Sequence, residues 1–181
     1  MDSAVRELLE PWAPGNLAVA EGRLRVVPLD AARAELIALT RDGVPGIRAS
    51  GLQLAACIAP DIGDELALAL LADPVWFVRC TACEKLFFNW CYRAADALAE
   101  LLIREPHELV RNMAACALCY LGTERHLPQL ESALAVETGT DHEGTPIQTV
   151  IARAIHVIRF GALPGMERRR SEPGAAPETA G

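Results

Sequence analysis

The sequence predicts an all-α chain, a solenoid of about four stacked helical hairpins. Three observations carry that prediction. An acid is followed, at a constant offset of six, by an arginine that sits behind an aliphatic residue: Asp42 with Ile47-Arg48, Asp73 with Val78-Arg79, Glu105 with Val110-Arg111. These copies lie 31 residues apart from Ile47 to Val78 and 32 from Val78 to Val110. Repetition at a period of roughly 20–50 residues marks a unit too small to bury its own apolar face. Finally, the chain is 51% apolar but only 5% aromatic, so its core must be built from alanine and leucine, both strong helix formers.

Residues 1–29 read as an N-terminal cap. Arg6 to Leu9 suits a short helix, Pro14-Gly15 should break it, and Leu24 to Leu29 reads as extended or loop-like. Asp30 then stands as the N-cap that opens a repeat domain over residues 30–160. The first helix of each pair is expected over about 30–41, 62–72, 94–104 and 124–136, and the second over about 44–58, 75–92, 107–121 and 144–160. Pro60-Asp61, Asp73-Pro74 and Glu105-Pro106 mark helix starts, proline being tolerated there. Gly122 marks a stop. A degenerate fourth copy is read at Val150, with Thr145 and Ile151 in the acid and arginine places. The polar stretch from Glu137 to Gly144 accounts for its longer spacing. From Gly161 onward periodic apolar residues cease, and residues 161–181 are expected to be a disordered tail.

Composition narrows the function. No apolar run reaches about 18 residues, so no membrane span is expected. The first residues, Met1 to Glu7, lack a basic leader and an apolar core, which points to a cytoplasmic protein. A net charge of −7 argues against nucleic acid, whose binding needs a basic surface.

The strings Leu66-Ala67-Leu68-Ala69-Leu70-Leu71-Ala72-Asp73-Pro74 with Val78-Arg79, and Glu105-Pro106 with Val110-Arg111, Ala114-Ala115 and Leu121-Gly122, resemble the HEAT repeat, including its bacterial phycobilisome-lyase variant. The resemblance covers roughly residues 30–160 and implies a right-handed α-solenoid of about four HEAT-like helical-hairpin repeats. It further implies a ladder between neighbouring repeats, with Asp42, Asp73 and Glu105 as acids and Arg48, Arg79 and Arg111 as arginines. A guanidinium fork suits that task because it satisfies several acceptors at once. The fourth copy is expected to have lost its ladder, as a capping repeat can.

In such solenoids the second helices line the concave side. Positions two, six, nine and thirteen after each aliphatic residue fall near the side opposite the core, at 100° per residue. They hold Cys80 and Asn112, Glu84, Cys116 and His156, Phe87 and Cys119, and Cys91. Two readings follow. Cysteine can serve as a small hydrophobe that lets helices approach, or Cys80, Cys91, Cys116, Cys119 and His156 can converge on a soft metal or a thiol-reactive ligand. The paired CxxC strings, Cys80 to Cys83 and Cys116 to Cys119, sit inside helices and not on knuckles, and disulfides do not suit the cytoplasm. Aromatics gather in the second repeat, and a partner surface is expected on Phe77, Glu84, Phe87, Phe88, Asn112 and Tyr120.

Catalytic motifs are missing from the pattern. HEAT-type di-iron hydroxylases, which this chain resembles in fold, carry His-Glu pairs inside second helices; here His107-Glu108 and His142-Glu143 fall before them. HEAT-like DNA glycosylases need a basic groove, for which Lys85 and Arg159 are too few. The chain is therefore expected to be a non-catalytic interaction module that needs no cofactor and holds a protein, a peptide or a second copy of itself. The alternative from another class is a lyase-like handler of a chromophore or metal on the groove cysteines.

Overall fold

The computed structural model describes residues 4–10 and 14–161. The expected tail beyond Gly161 lies outside the described residues. Ten α-helices are found among them: α1 (Ala4–Leu9), α2 (Pro14–Arg25), α3 (Leu29–Leu39), α4 (Pro45–Ile58), α5 (Pro60–Leu70), α6 (Trp76–Phe88), α7 (Ala95–Arg104), α8 (Glu108–Leu121), α9 (Leu127–Val136) and α10 (Ile147–Phe160). Short 3-10 turns at Tyr92–Ala94 and Glu124–His126 precede α7 and α9. No strand occurs among the described residues, only an isolated bridge between Thr140 and Pro146. No described helix is long and apolar enough to cross a membrane.

The helices α4, α6, α8 and α10 pack against one another in that order, as one row. The helices α3, α5, α7 and α9 lie over this row: α5 packs on both α4 and α6, and α9 on both α7 and α10. Each row helix presents the same buried positions. Ile47, Val78 and Val110 begin the pattern, and Ala55, Leu86 and Leu118 continue it two turns later, all shielded from solvent. Leu36, Leu52, Leu98, Leu102 and Leu130 complete the core from both layers. Burying each such leucine stabilises the fold by about 2 kcal/mol.

Several expected boundaries move, each for a local reason. Pro14 starts α2 and does not break a helix, because proline at the first helical position has its φ already set. Leu24 and Arg25 are the last turn of that helix and not extended chain. Asp30 is not the N-cap of α3: Pro28 occupies that place, and Asp30 lies in the first turn beside Arg33. The cap is thus helical, with α1 packed on α2 and α4.

At the other end, α10 begins at Ile147, not at 144, and the fourth copy is registered differently from expectation. Ile147, Ile151, Ala154, Ile155 and Ile158 are its buried residues. They match the pattern of α8 only when Ile147, and not Val150, takes the place of Val110. Gln148 then stands where the other repeats have arginine. Thr145 is exposed, and Ile151 is core.

Candidate functional site

The arginines and acids meet at the N-terminal end of the helix row. Arg48 donates through Nε and Nη2 to Asp73 at 2.6 and 2.8 Å. Arg79 grips Glu105 in the same way at 2.7 and 2.5 Å, and Arg111 grips Glu137 at 2.6 and 2.8 Å. Each arginine reaches forward to the acid of the following hairpin. Its third nitrogen, Nη1, donates back to the carbonyl of its own hairpin's acid: Asp42 at 2.9 Å, Asp73 at 2.7 Å and Glu105 at 3.0 Å.

Asp42, Asp73 and Glu105 also cap the row helices that follow them, whereas Glu137 accepts from the Thr138 and Gly139 amides of its own loop. Asp42 accepts from the Val44 amide at 2.8 Å, Asp73 from Val75 at 2.9 Å and Glu105 from His107 at 2.9 Å. These amides belong to the N-cap residues of α4, α6 and α8, which share one extended conformation, with ψ of 118, 123 and 119°. Capping at these ends satisfies donors that the helix cannot.

Two members were missed in the sequence. Glu137 is 4% exposed and is the fourth acid, placed eleven residues before Gln148 and not six. The polar stretch after it forms a loop closed at Thr140 and Pro146, so the fourth copy keeps its acid. Gln148 donates from Nε2 to the Glu137 carbonyl at 2.7 Å, which reproduces the backward bond of the arginines without the forward one. At the start of the chain, Arg6 follows buried Val5 and pairs with Asp42 at 2.6 and 3.3 Å. The Val5-Arg6 pair was the available signal.

The four carboxylates are held below their ordinary range. For Asp42 the dominant cause is the Arg6 hydrogen bond, and for Glu137 the Arg111 hydrogen bond. Burial pushes Asp73 and Glu105 upward, but their arginines and the helix-start amides together outweigh it. All four remain charged at neutral pH. Their partners are protein groups, so the arrangement leaves little capacity for a ligand.

The aromatic residues on and around α6 divide into two groups at its opposite ends. Phe77 packs edge-on to Trp76 at 5.9 Å, and Trp76 stacks on His107 at 4.1 Å. This group lies beside the ladder, so Phe77 does not join the other expected partner residues. The second group lies at the far edge of the row. Phe87 contacts Phe88 at 5.0 Å, Tyr120 at 5.1 Å and Trp90 at 6.5 Å. Trp90 meets Tyr120 at 6.0 Å with perpendicular rings, and Tyr92 at 6.5 Å. Phe88, Trp90 and Tyr92 are 61%, 49% and 53% exposed. Glu84 lies one turn back, paired with Lys85 at 3.3 Å. Asn112 sits nearer the ladder, with its buried Oδ1 lacking a protein partner.

Sequence periodicity carried the second helix of this repeat through to residue 92, whereas α6 ends at Phe88. The Trp90 amide donates to Phe87 at 3.1 Å and the Cys91 amide to Leu86 at 3.0 Å. Those two bonds are the Schellman closure, which requires a left-handed residue between them. That residue is Trp90, with φ of 54°. Its place corresponds in sequence to Gly122, twelve residues after the first buried aliphatic in both cases, but Gly122 is extended, with φ of −70°, so the left-handed turn after α6 is not repeated after α8.

The five expected soft ligands are not brought together. Cys119 is buried in the core, and Cys91 is buried in the turn after α6 instead of lying on the helix. Cys80 and Cys116 are half-buried, and His156 is exposed against Phe160. Among the described residues, no group of three or more His, Cys, Asp or Glu side chains is placed to hold a metal ion. The expected convergence assumed one unbroken helix to residue 92 and a fourth copy starting at Val150; both assumptions fail. Burial pushes the Cys80 thiol up to about 11, aided by Glu84 and Cys116. Burial raises Cys83, Cys91 and Cys116 as well. These thiols are protonated at neutral pH and are poor nucleophiles.

Compared with protein-family models, curated proteins and solved structures, the chain matches none.

Proposed function

We propose that this protein is a non-catalytic interaction module, a short right-handed HEAT-like α-solenoid that works in the cytoplasm and holds a protein or peptide partner. One observation carries the reading: the exposed aromatic edge formed by Phe88, Trp90 and Tyr92 over Phe87 and Tyr120. Aromatic side chains left in water at one place are the composition of binding hot spots. The recurring arginine–acid contacts support the solenoid, since they tie successive hairpins by the same atoms at sequence separations of 25, 26 and 26. The last hairpin, with Gln148 in place of the ladder arginine, suits a terminal repeat.

The test is affinity capture from the source lysate with full-length bait, followed by calorimetry with the recovered partner. The Phe88→Ala/Tyr92→Ala bait, altered only at exposed rings, should lose that partner by about tenfold or more. Equal recovery by both baits would remove the aromatic edge as the binding surface.

A further inference from the structure

Trp90 closes α6 in a left-handed conformation, which favours glycine because any Cβ is crowded there. A bulky residue with φ of 54° is an outlier, and such strain persists where the side chain serves something other than the local backbone. Half of the indole remains in water, so the core does not account for it fully.

Several features of that edge point to the charge of what it meets. The ladder joins equivalent N-terminal ends of α4, α6, α8 and α10, so the C-terminal ends of these helices share the opposite edge with Trp90. Carbonyl ends of helices carry partial negative charge. The chain as a whole carries a net charge of −7. The nearby bases are already engaged: Lys85 with Glu84, Arg93 with Glu65 and Arg125 with Asp96. The rings themselves accept cations, for the Lys85 ammonium stands 5.9 Å over Phe88.

We infer that Trp90 is the principal contact residue of the aromatic edge, and that it receives a lysine- and arginine-bearing segment of another protein. This rests on the interaction reading above and specifies its partner. The indole offers the strongest cation-binding face among side chains, which is the return for an unfavourable backbone.

The test uses the full chain and a short peptide of alternating lysine and arginine at physiological salt. Glutamate-rich and proline-rich peptides of equal length serve as comparisons. The basic peptide should bind wild type at least about tenfold more tightly than either comparison peptide. Trp90→Gly and Trp90→Asn should each weaken it by about tenfold. Both substitutions favour the left-handed turn, so relief of strain offsets lost packing and the melting temperature should stay within about 4 °C of wild type.

Unchanged affinity in both variants overturns the inference, and so does loss of cooperative unfolding in both, which would make Trp90 a residue of the fold. Equal binding of either comparison peptide overturns the basic partner. If the Trp90 variants bind normally while Phe88→Ala/Tyr92→Ala loses the lysate partner, this inference falls and the interaction reading stands.

Discussion

Glu105 shows how much a single side chain can hold in place. It is 5% exposed, accepts two bonds from Arg79 and one from the His107 amide, and sits between two hairpins. Removing Arg79 would leave this carboxylate buried and unpaired. Arg79→Ala should therefore cost about 3 kcal/mol in urea unfolding. Arg104→Ala, which breaks an exposed pair at 3.7 Å, should cost no more than about 0.5 kcal/mol. Similar losses for the two would show that the ladder is not special.

The pH dependence follows from the same groups. The folded pKa values of Asp42, Asp73, Glu105 and Glu137 lie below their unfolded values. Their stabilisation is complete above the ordinary carboxylate range, about pH 4, and is lost as pH falls through the folded values. Glu105→Gln should be destabilised at pH 7, with the deficit shrinking below about pH 4. A deficit that stays constant down to pH 3 would contradict this. The acid–arginine offset was legible in the sequence because both residues flank one turn. Glu137 was not, because five extra residues separate it from its repeat.

At the scale of elements, close approach decides the sign of substitutions. Gly51 lies within α4, where alanine usually stabilises a helix by about 1 kcal/mol. A methyl group there would stand 2.7 Å from Leu39 Cβ and 3.0 Å from the Thr40 amide nitrogen, at the end of α3. Gly51→Ala should instead destabilise by about 1–3 kcal/mol, with Gly22→Ala, which has open space in α2, as the comparison. A more stable Gly51→Ala would mean that α3 and α4 can separate at little cost.

Gln148 makes a neutral bond to a carbonyl and nothing further along the row. Gln148→Ala should cost about 1 kcal/mol, well short of the loss at Arg79, when both are measured by urea unfolding. Helix existence was readable from periodicity, but ends were not. The helix α6 stops at a left-handed Trp90, and a pattern of apolar residues cannot reveal a left-handed turn made by tryptophan. The fourth register was misread because Val150 looks as aliphatic as Ile147, and only burial separates them.

Across the whole molecule, the order of hairpins was legible because every repeat carries its own acid, turn and aliphatic start. The aromatic edge was half legible. Phe87, Phe88 and Tyr120 follow from helical phase, whereas Trp90 and Tyr92 lie past the helix end, where phase says nothing. The forward reach of each arginine should also make the chain divisible into interchangeable lengths. Excising residues 74–105 removes Arg79 together with the acid it holds, and joins Asp73 to Pro106 as it was joined to Pro74. Arg48 keeps Asp73 and Arg111 keeps Glu137, so no charge of the ladder is orphaned. The shortened chain should remain helical by circular dichroism and unfold cooperatively, while losing its partner along with Phe87, Phe88, Trp90 and Tyr92. Non-cooperative melting would show that the hairpins are not separable parts. If they are, length is a property this protein can change by whole units, with each cut leaving a closed ladder behind.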